Sequence, residues 1–186
     1  MYIKKNHLWI IMNKKDGLFE KHLRARNKLD YVLGKTRPEV DCILCSIVEG
    51  DPLVKNYIIH IDEIAVVSLN LYPYNPAQLL IFPIRHITDF RELNDNEILH
   101  ISHLIKKSQD MITELYDPRG FNLGLNQGDC AGASIEHLHY HLVPRFKNEL
   151  GYIDIIGKSR VIVEDINSIY EKLKQIAPKY FKKEQI

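Results

Sequence analysis

Glu136-His137-Leu138-His139-Tyr140-His141-Leu142-Val143-Pro144-Arg145 sets histidine at three alternate positions with an apolar or aromatic residue after each. Side chains of a β-strand repeat every second residue. As a strand, this segment projects His137, His139 and His141 from one face and packs Leu138, Tyr140 and Leu142 on the other. Histidine has the side-chain pKa closest to neutrality, so the row can supply a nucleophile, a proton donor and a metal ligand from one short segment. Directly upstream, Asn126-Gln127-Gly128-Asp129-Cys130-Ala131-Gly132-Ala133-Ser134 is a loop of small residues. Such a loop lets backbone approach a ligand closely and offers N–H groups to an anion. Ser134 adds a hydroxyl. Taken separately, the loop is an ordinary hairpin connection and the histidines a chance cluster on a solvent-facing edge. Joined, they read as a phosphate cradle facing a nucleophile.

Working outward, strand patterns fall at 57–60, 65–70 and 78–83, with Asp62-Glu63 turning between the first two. Asn94-Asp95 caps a helix whose Ile98, Ile101, Ile105, Ile112 and Leu115 recur at three-to-four spacing, stopping before Asp117-Pro118. His100 and His103 lie within it and read as surface or core-edge residues. Residues 121–126 and 137–143 form a hairpin around the small-residue loop, and a strand at 160–163 precedes a helix at 166–173. Several strands, one long helix and two more strands predict an α+β domain, an antiparallel sheet with the helix on one face. Residues 1–40 read as a charged arm with a helix at 18–29 and Trp9 as its anchor, 41–165 as the domain, and 166–186 as a C-terminal helical extension.

At 186 residues and 45% hydrophobic the chain is long enough for one core, and no run approaches the roughly 20 apolar residues that cross a bilayer. The basic-then-apolar start is too short for a leader and lacks a small-residue cleavage site. A net charge of +1 leaves no footprint for a nucleic-acid polymer, and the short runs Lys4-Lys5, Lys14-Lys15 and Lys182-Lys183 read as solvated. Three cysteines make no disulfide framework. The expected setting is the reducing cytoplasm, away from membranes. Cys42-Ile43-Leu44-Cys45 can grip a metal from a tight turn, but a redox pair or two buried thiols share that spacing. Neither a P-loop nor a magnesium box is visible.

His137-x-His139-x-His141, preceded by Asn126-x-Gly128 and Ala131-Gly132-x-Ser134, resembles the signature of the histidine triad (HIT) family. The likeness extends through Val67-Ser68-Leu69-Asn70-Leu71-Tyr72-Pro73-Tyr74-Asn75-Pro76, the strand-like 78–83 and Arg85-His86, covering about residues 40–165. Members bind nucleotides and transfer or hydrolyse nucleotidyl groups through a covalent histidine intermediate. The run 70–76 is similar to the branch of diadenosine tetraphosphate phosphorylases. The resemblance implies a sheet of about five strands, a homodimer and a small-molecule nucleotide substrate, with no organic cofactor. It makes His139 the nucleophile, while His141 contacts phosphate oxygens and assists the leaving group. Asn70 falls where the ribose is contacted, and Asn126, Gly132 and Ser134 fall at the phosphate. In the zinc-bearing members the Cys-x-x-Cys pair is completed by residues matching His86 and His137, which implies a closed structural Cys2His2 site of Cys42, Cys45, His86 and His137.

Two positions depart from the pattern. Many members carry Gly-His where this chain has Ala77-Gln78, so Gln78 stands in the nucleotide pocket without a titratable proton. Ala133 replaces a glutamine of many relatives. Tyr72 and Tyr74 either line a base pocket or pack a proline-rich corner. The expected function is cleavage of dinucleoside polyphosphates, by transfer or hydrolysis, through a nucleotidyl-His139. Alternatives are a hydrolase of nucleoside phosphoramidates or adenylylated compounds, and a catalytically weak nucleotide-binding module.

Overall fold

The computed structural model describes residues 37–147 and 164–182. The expected arm helix at 18–29, Trp9 and the strand at 160–163 lie outside the described residues. In chain order the elements are α1 (Ile43–Glu49), β1 (Ile58–Ile61), β2 (Ala65–Leu69), β3 (Leu79–Pro83), α2 (Asp95–Tyr116), β4 (Gly120–Leu125), β5 (Tyr140–Arg145) and α3 (Ile166–Tyr180). The strands form one five-stranded sheet in the order β1-β2-β3-β5-β4, every pair antiparallel. This is the expected α+β architecture.

β2 and β3 are apolar apart from Ser68 because every residue in them is buried. A sheet covered on both faces needs no polar alternation. Val67, Leu69, Leu79 and Ile81 join α2 and α3 in the main core, whereas Val66, Leu80 and Phe82 meet Ile43, Leu44 and Ile47 of α1 on the other face. At the rim, β4 has one strand neighbour among the described residues and leaves Leu123 half exposed.

A reciprocal cap starts α2. The Asn94 side chain accepts from Glu97 N at 3.0 Å, and the Glu97 carboxylate accepts from Asn94 N at 2.9 Å. Its buried Ile101, Leu104, Ile105, Met111 and Ile112 keep the helical spacing, and Asp117 closes it in the left-handed region at φ 43. His100 on this helix reaches Asp62 Oδ2 at 2.7 Å, while Asp62 Oδ1 accepts from the N–H groups of Ile64 and Ala65 and holds the β1–β2 turn.

Two boundaries differ from the sequence pattern. The C-terminal helix runs on to Tyr180 instead of stopping near 173, although Pro178 lies inside it. A proline forfeits a helical N–H, but buried Ala177 and Phe181 hold the segment against the main core. The second shift concerns the histidine segment, whose ladder begins only at Tyr140. Pro83 has no N–H to extend the β3 edge, and Leu138 N donates instead to Ile87 O at 2.7 Å. His137 and His139 therefore precede the ladder in extended chain. The alternation survives, with Leu138 and Leu142 in the main core and the histidines on the α1 face. No helix among the described residues is long and apolar enough to cross a membrane.

Candidate functional site

The seven residues of α1 are too few to hold a helix unaided, since isolated helices below about 12 residues are marginal in water. Burial of Ile43, Leu44 and Ile47 supplies the missing stability, and Gly50 at φ 72 closes the C-terminus. At the other end Cys42 is the N-cap, its Sγ accepting from Cys45 N.

That cap sits in a cluster assembled from distant parts of the chain. Cys42 Sγ lies 3.5 Å from His137 Nδ1, and Cys45 Sγ lies 3.4 Å from His86 Nδ1 and 3.5 Å from His137 Nδ1. All four ligand atoms fall within 4.8 Å of one another. Tetrahedral bonds of about 2.3 Å to sulfur and 2.05 Å to nitrogen give a sulfur-to-nitrogen edge of about 3.6 Å, so these separations suit one shared cation. The tautomer fits as well. His137 Nε2 is 2.9 Å from Pro83 O, and a carbonyl only accepts, so Nε2 carries the proton and Nδ1 presents its lone pair to the cluster. Burial lowers the pKa of His137 to about 4 and keeps it neutral. Burial and the Cys42 sulfur push the Cys45 thiol up to about 11, so a cation has to displace that proton on binding. The four residues expected as ligands are thus brought together and can hold a metal. His86 is on the exposed side, beside a cleft lined by Glu39, Asp41, Glu49 and Asp51 that offers a cation an entry path.

On the same sheet face, α1 and the histidine segment enclose a cavity of about 450 Å³. One wall is apolar, built from Ile43, Leu44 and Ile47 with Leu80; the other carries Asn70, Ser134, His139 and His141. An apolar slot with a few convergent polar groups is the usual form of a small-molecule site. His139 is 3% exposed, and its Nδ1 lies 2.6 Å from His137 O. The carbonyl again takes a proton, leaving Nε2 as the lone-pair nitrogen. Burial holds the pKa of His139 below the ordinary imidazole value, so the ring stays neutral at neutral pH. His141 crosses it edge to face, with centroids 4.8 Å apart.

Gln78 is wholly buried: its Oε1 accepts from Tyr74 N at 2.6 Å, and its Nε2 lies 3.3 Å from His141 Nδ1. Ala77 before it is in the left-handed region at φ 58, which explains the glycine many relatives have there and costs a non-glycine residue about 1 kcal/mol. Tyr72 lines the cavity, but Tyr74 is 49% exposed and does not; its backbone N–H serves the site instead.

The small-residue loop differs in detail from its expected role. With Gly128 at φ 81 and Gly132 at φ 86 the chain tightens into a 3-10 turn, and Ala131, Gly132 and Ala133 spend their N–H groups on Gly128 O and Asp129 O. Asn126 donates to Gly132 O at 3.4 Å and braces the turn. Of the loop residues, Ser134 lines the cavity. Sequence reading missed the α1 wall and Lys55, which also lines the cavity. Ile43, Leu44 and Ile47 did carry a signal, the helical spacing that starts inside Cys42-x-x-Cys45.

Arg85, next to His86, pairs with Glu97 Oε1 at 2.5 Å and Oε2 at 2.8 Å, tying the metal-side loop to the α2 cap. The Arg85 guanidinium holds the Glu97 carboxyl below its usual pKa. A lowered folded-state pKa contributes stability that is fully present above the unfolded carboxylate value, about 4.3, and is lost as pH falls through the folded one. Glu97→Gln keeps an oxygen for the cap and removes the charge together with one of the two oxygens that accept from Arg85. Thermal melts should show the variant a few degrees below the parent at pH 7 and the gap closing below about pH 4; a gap that persists in acid would show that packing is what was lost.

The HIT domain matches residues 53–148. The chain belongs to the HIT family. It is 44% identical over 95 residues to the AP-4-A phosphorylase of Mycobacterium tuberculosis, a match covering 50% of this chain and 49% of that protein. The chain thus spans about half the length of that relative. An adenosine 5'-monophosphoramidase of Schizosaccharomyces pombe is 30% identical over 113 residues, 60% of this chain and 80% of that one. Among solved structures, a Zn-bound histidine triad family protein from Mycobacterium smegmatis superposes with a TM-score of 0.62 at 22% identity, covering 75% of this HIT chain and 94% of that one. That likeness shows the fold.

Proposed function

We propose that this HIT protein cleaves dinucleoside polyphosphates by transferring a nucleotidyl group through His139. The observation that carries the reading is the His139 tautomer: Nδ1–H is spent on His137 O, and Nε2 of a neutral, buried ring is left as the nucleophile in the cavity. Attack of Nε2 on an α-phosphorus forms the P–N bond as the bond to the departing polyphosphate oxygen breaks and that oxygen keeps the electron pair. An oxygen of the acceptor then attacks the same phosphorus and frees the histidine. Positioning and charge stabilisation dominate such transfers, and Ser134 and His141 are the groups proposed to supply them at the phosphates, with Asn126 and Gly132 proposed to shape the turn that carries Ser134. Asn70 and the α1 wall are proposed to take ribose and base, with Lys55 facing the polyphosphate. Zinc is the proposed ion for Cys42, Cys45, His86 and His137, because paired thiolates and imidazoles in a closed tetrahedral set suit it. Its part is structural.

Incubation of diadenosine tetraphosphate with and without inorganic phosphate tests the reading. Phosphate-dependent formation of ATP and ADP is expected, in line with the similarity to the mycobacterial phosphorylase. The same preparation is expected to sediment as a dimer, the exposed edge at β4 being the proposed contact. ATP and AMP formed without phosphate would make water the acceptor, and cleavage of adenosine phosphoramidate alone would favour the activity named for the fission-yeast relative. Binding without turnover of any of these would leave a nucleotide-binding module.

A further inference from the structure

We propose that Gln78 is a positioning residue that locks His141 as its Nε2–H tautomer, so that a fixed hydrogen-bond donor stands beside the lone-pair nitrogen of His139. What the donor does in turnover rests on the functional reading above; the tautomer follows from geometry alone. Tyr74 N–H, 2.6 Å from Gln78 Oε1, can only donate, which fixes the oxygen end of the amide. The other end is an NH2 group, which also can only donate. It lies 3.3 Å from His141 Nδ1, so that nitrogen must accept and the ring keeps its proton on Nε2. Rotating the amide would set N–H against N–H at a side chain with no exposure.

The turn around Gln78 is itself held. Asn75 donates to Pro144 O of β5 at 2.6 Å, and Gln78 N donates to Asn75 O at 3.2 Å. These bonds keep position 78 in register with the strand that carries His141. A histidine here, as in many relatives, can donate or accept at either ring nitrogen, so it leaves the His141 tautomer open. Glutamine pinned by Tyr74 cannot. Two neighbouring rings, 4.8 Å between centroids, are thereby given opposite tasks: Nε2 of His139 offers an electron pair, and Nε2 of His141 offers a hydrogen. In the transfer step the P–N bond forms, the P–O bond breaks with its pair on the leaving oxygen, and the proton stays on His141 as a hydrogen bond to the phosphate oxygens.

Two-bond ¹H–¹⁵N imidazole correlations of the full-length, metal-loaded protein at pH 8 read the tautomer directly, with His141→Asn identifying the signal. The expected pattern is a protonated Nε2 and an unprotonated Nδ1; a protonated Nδ1 overturns the proposal. In Gln78→Glu both carboxylate oxygens accept, so the His141 ring must turn donor at Nδ1. The correlation should show Nδ1 protonated, and kcat at pH 9 should fall about 10²-fold with KM changed far less. A folded variant that keeps Nδ1 unprotonated, or keeps its kcat, contradicts the role. Should the buried carboxylate prevent folding, the parent spectrum decides alone. A protein that turns over no nucleotide would end the catalytic reading without moving this spectrum.

Discussion

His139→Ala protein, quenched after mixing with diadenosine tetraphosphate, is expected to show no mass increase, whereas the parent gains one nucleotidyl group. The alanine has no nitrogen to attack phosphorus, so kcat should fall by roughly 10⁴-fold or more, the scale on which loss of a nucleophile acts. Binding should persist within a few-fold, because the α1 wall and Asn70 are untouched. His137 O loses its partner in the variant, a stability cost of about 1–3 kcal/mol, so a melt must accompany the assay. A folded variant with parental turnover would remove His139 from the nucleophile role, and a parent with turnover but no adduct would point to direct attack by the acceptor.

Cys42→Ser is expected to lose the metal and to melt on the order of 10 °C lower than the parent, which elemental analysis should find loaded with about one ion per cluster. That figure follows from linkage. An ion present at 1,000 times its Kd stabilises by about 4 kcal/mol, and each kcal/mol moves the midpoint of a chain this size by about 2–4 °C. The effect on activity is indirect but large, because the cluster joins both walls of the cavity. Cys42 and Cys45 bracket the first turn of α1, whose Ile43, Leu44 and Ile47 form the apolar side, and His137 stands two residues before His139. Without the ion, a seven-residue helix depends on the burial of three apolar side chains. Protein purified without chelator that holds no metal, together with an unchanged melt for the variant, would reduce both cysteines to core residues.

The order and kind of elements were readable from sequence wherever the deciding forces act over a few residues. Period 2 in the histidine segment, the cap at Asn94 and the three-to-four spacing of α2 are local geometry, and each holds in the structure. Boundaries were missed where a distant surface decides: the helix expected to end at 173 runs on past Pro178 because Ala177 and Phe181 pack against the core, and the ladder starts late because Pro83, some sixty positions upstream, cannot donate to it. The residue types of the metal set and the histidine row were visible as motifs. What the tertiary structure decided is the state of each ring: Pro83 O sets His137, His137 O sets His139, and Gln78, pinned by Tyr74, faces His141. It also decided that α1, which sequence reading left as a bare cysteine pair, is the apolar wall, and that Tyr74 serves the site through its backbone. A tautomer or a cavity wall depends on which atoms meet across the fold, and periodicity along the chain carries no record of that meeting.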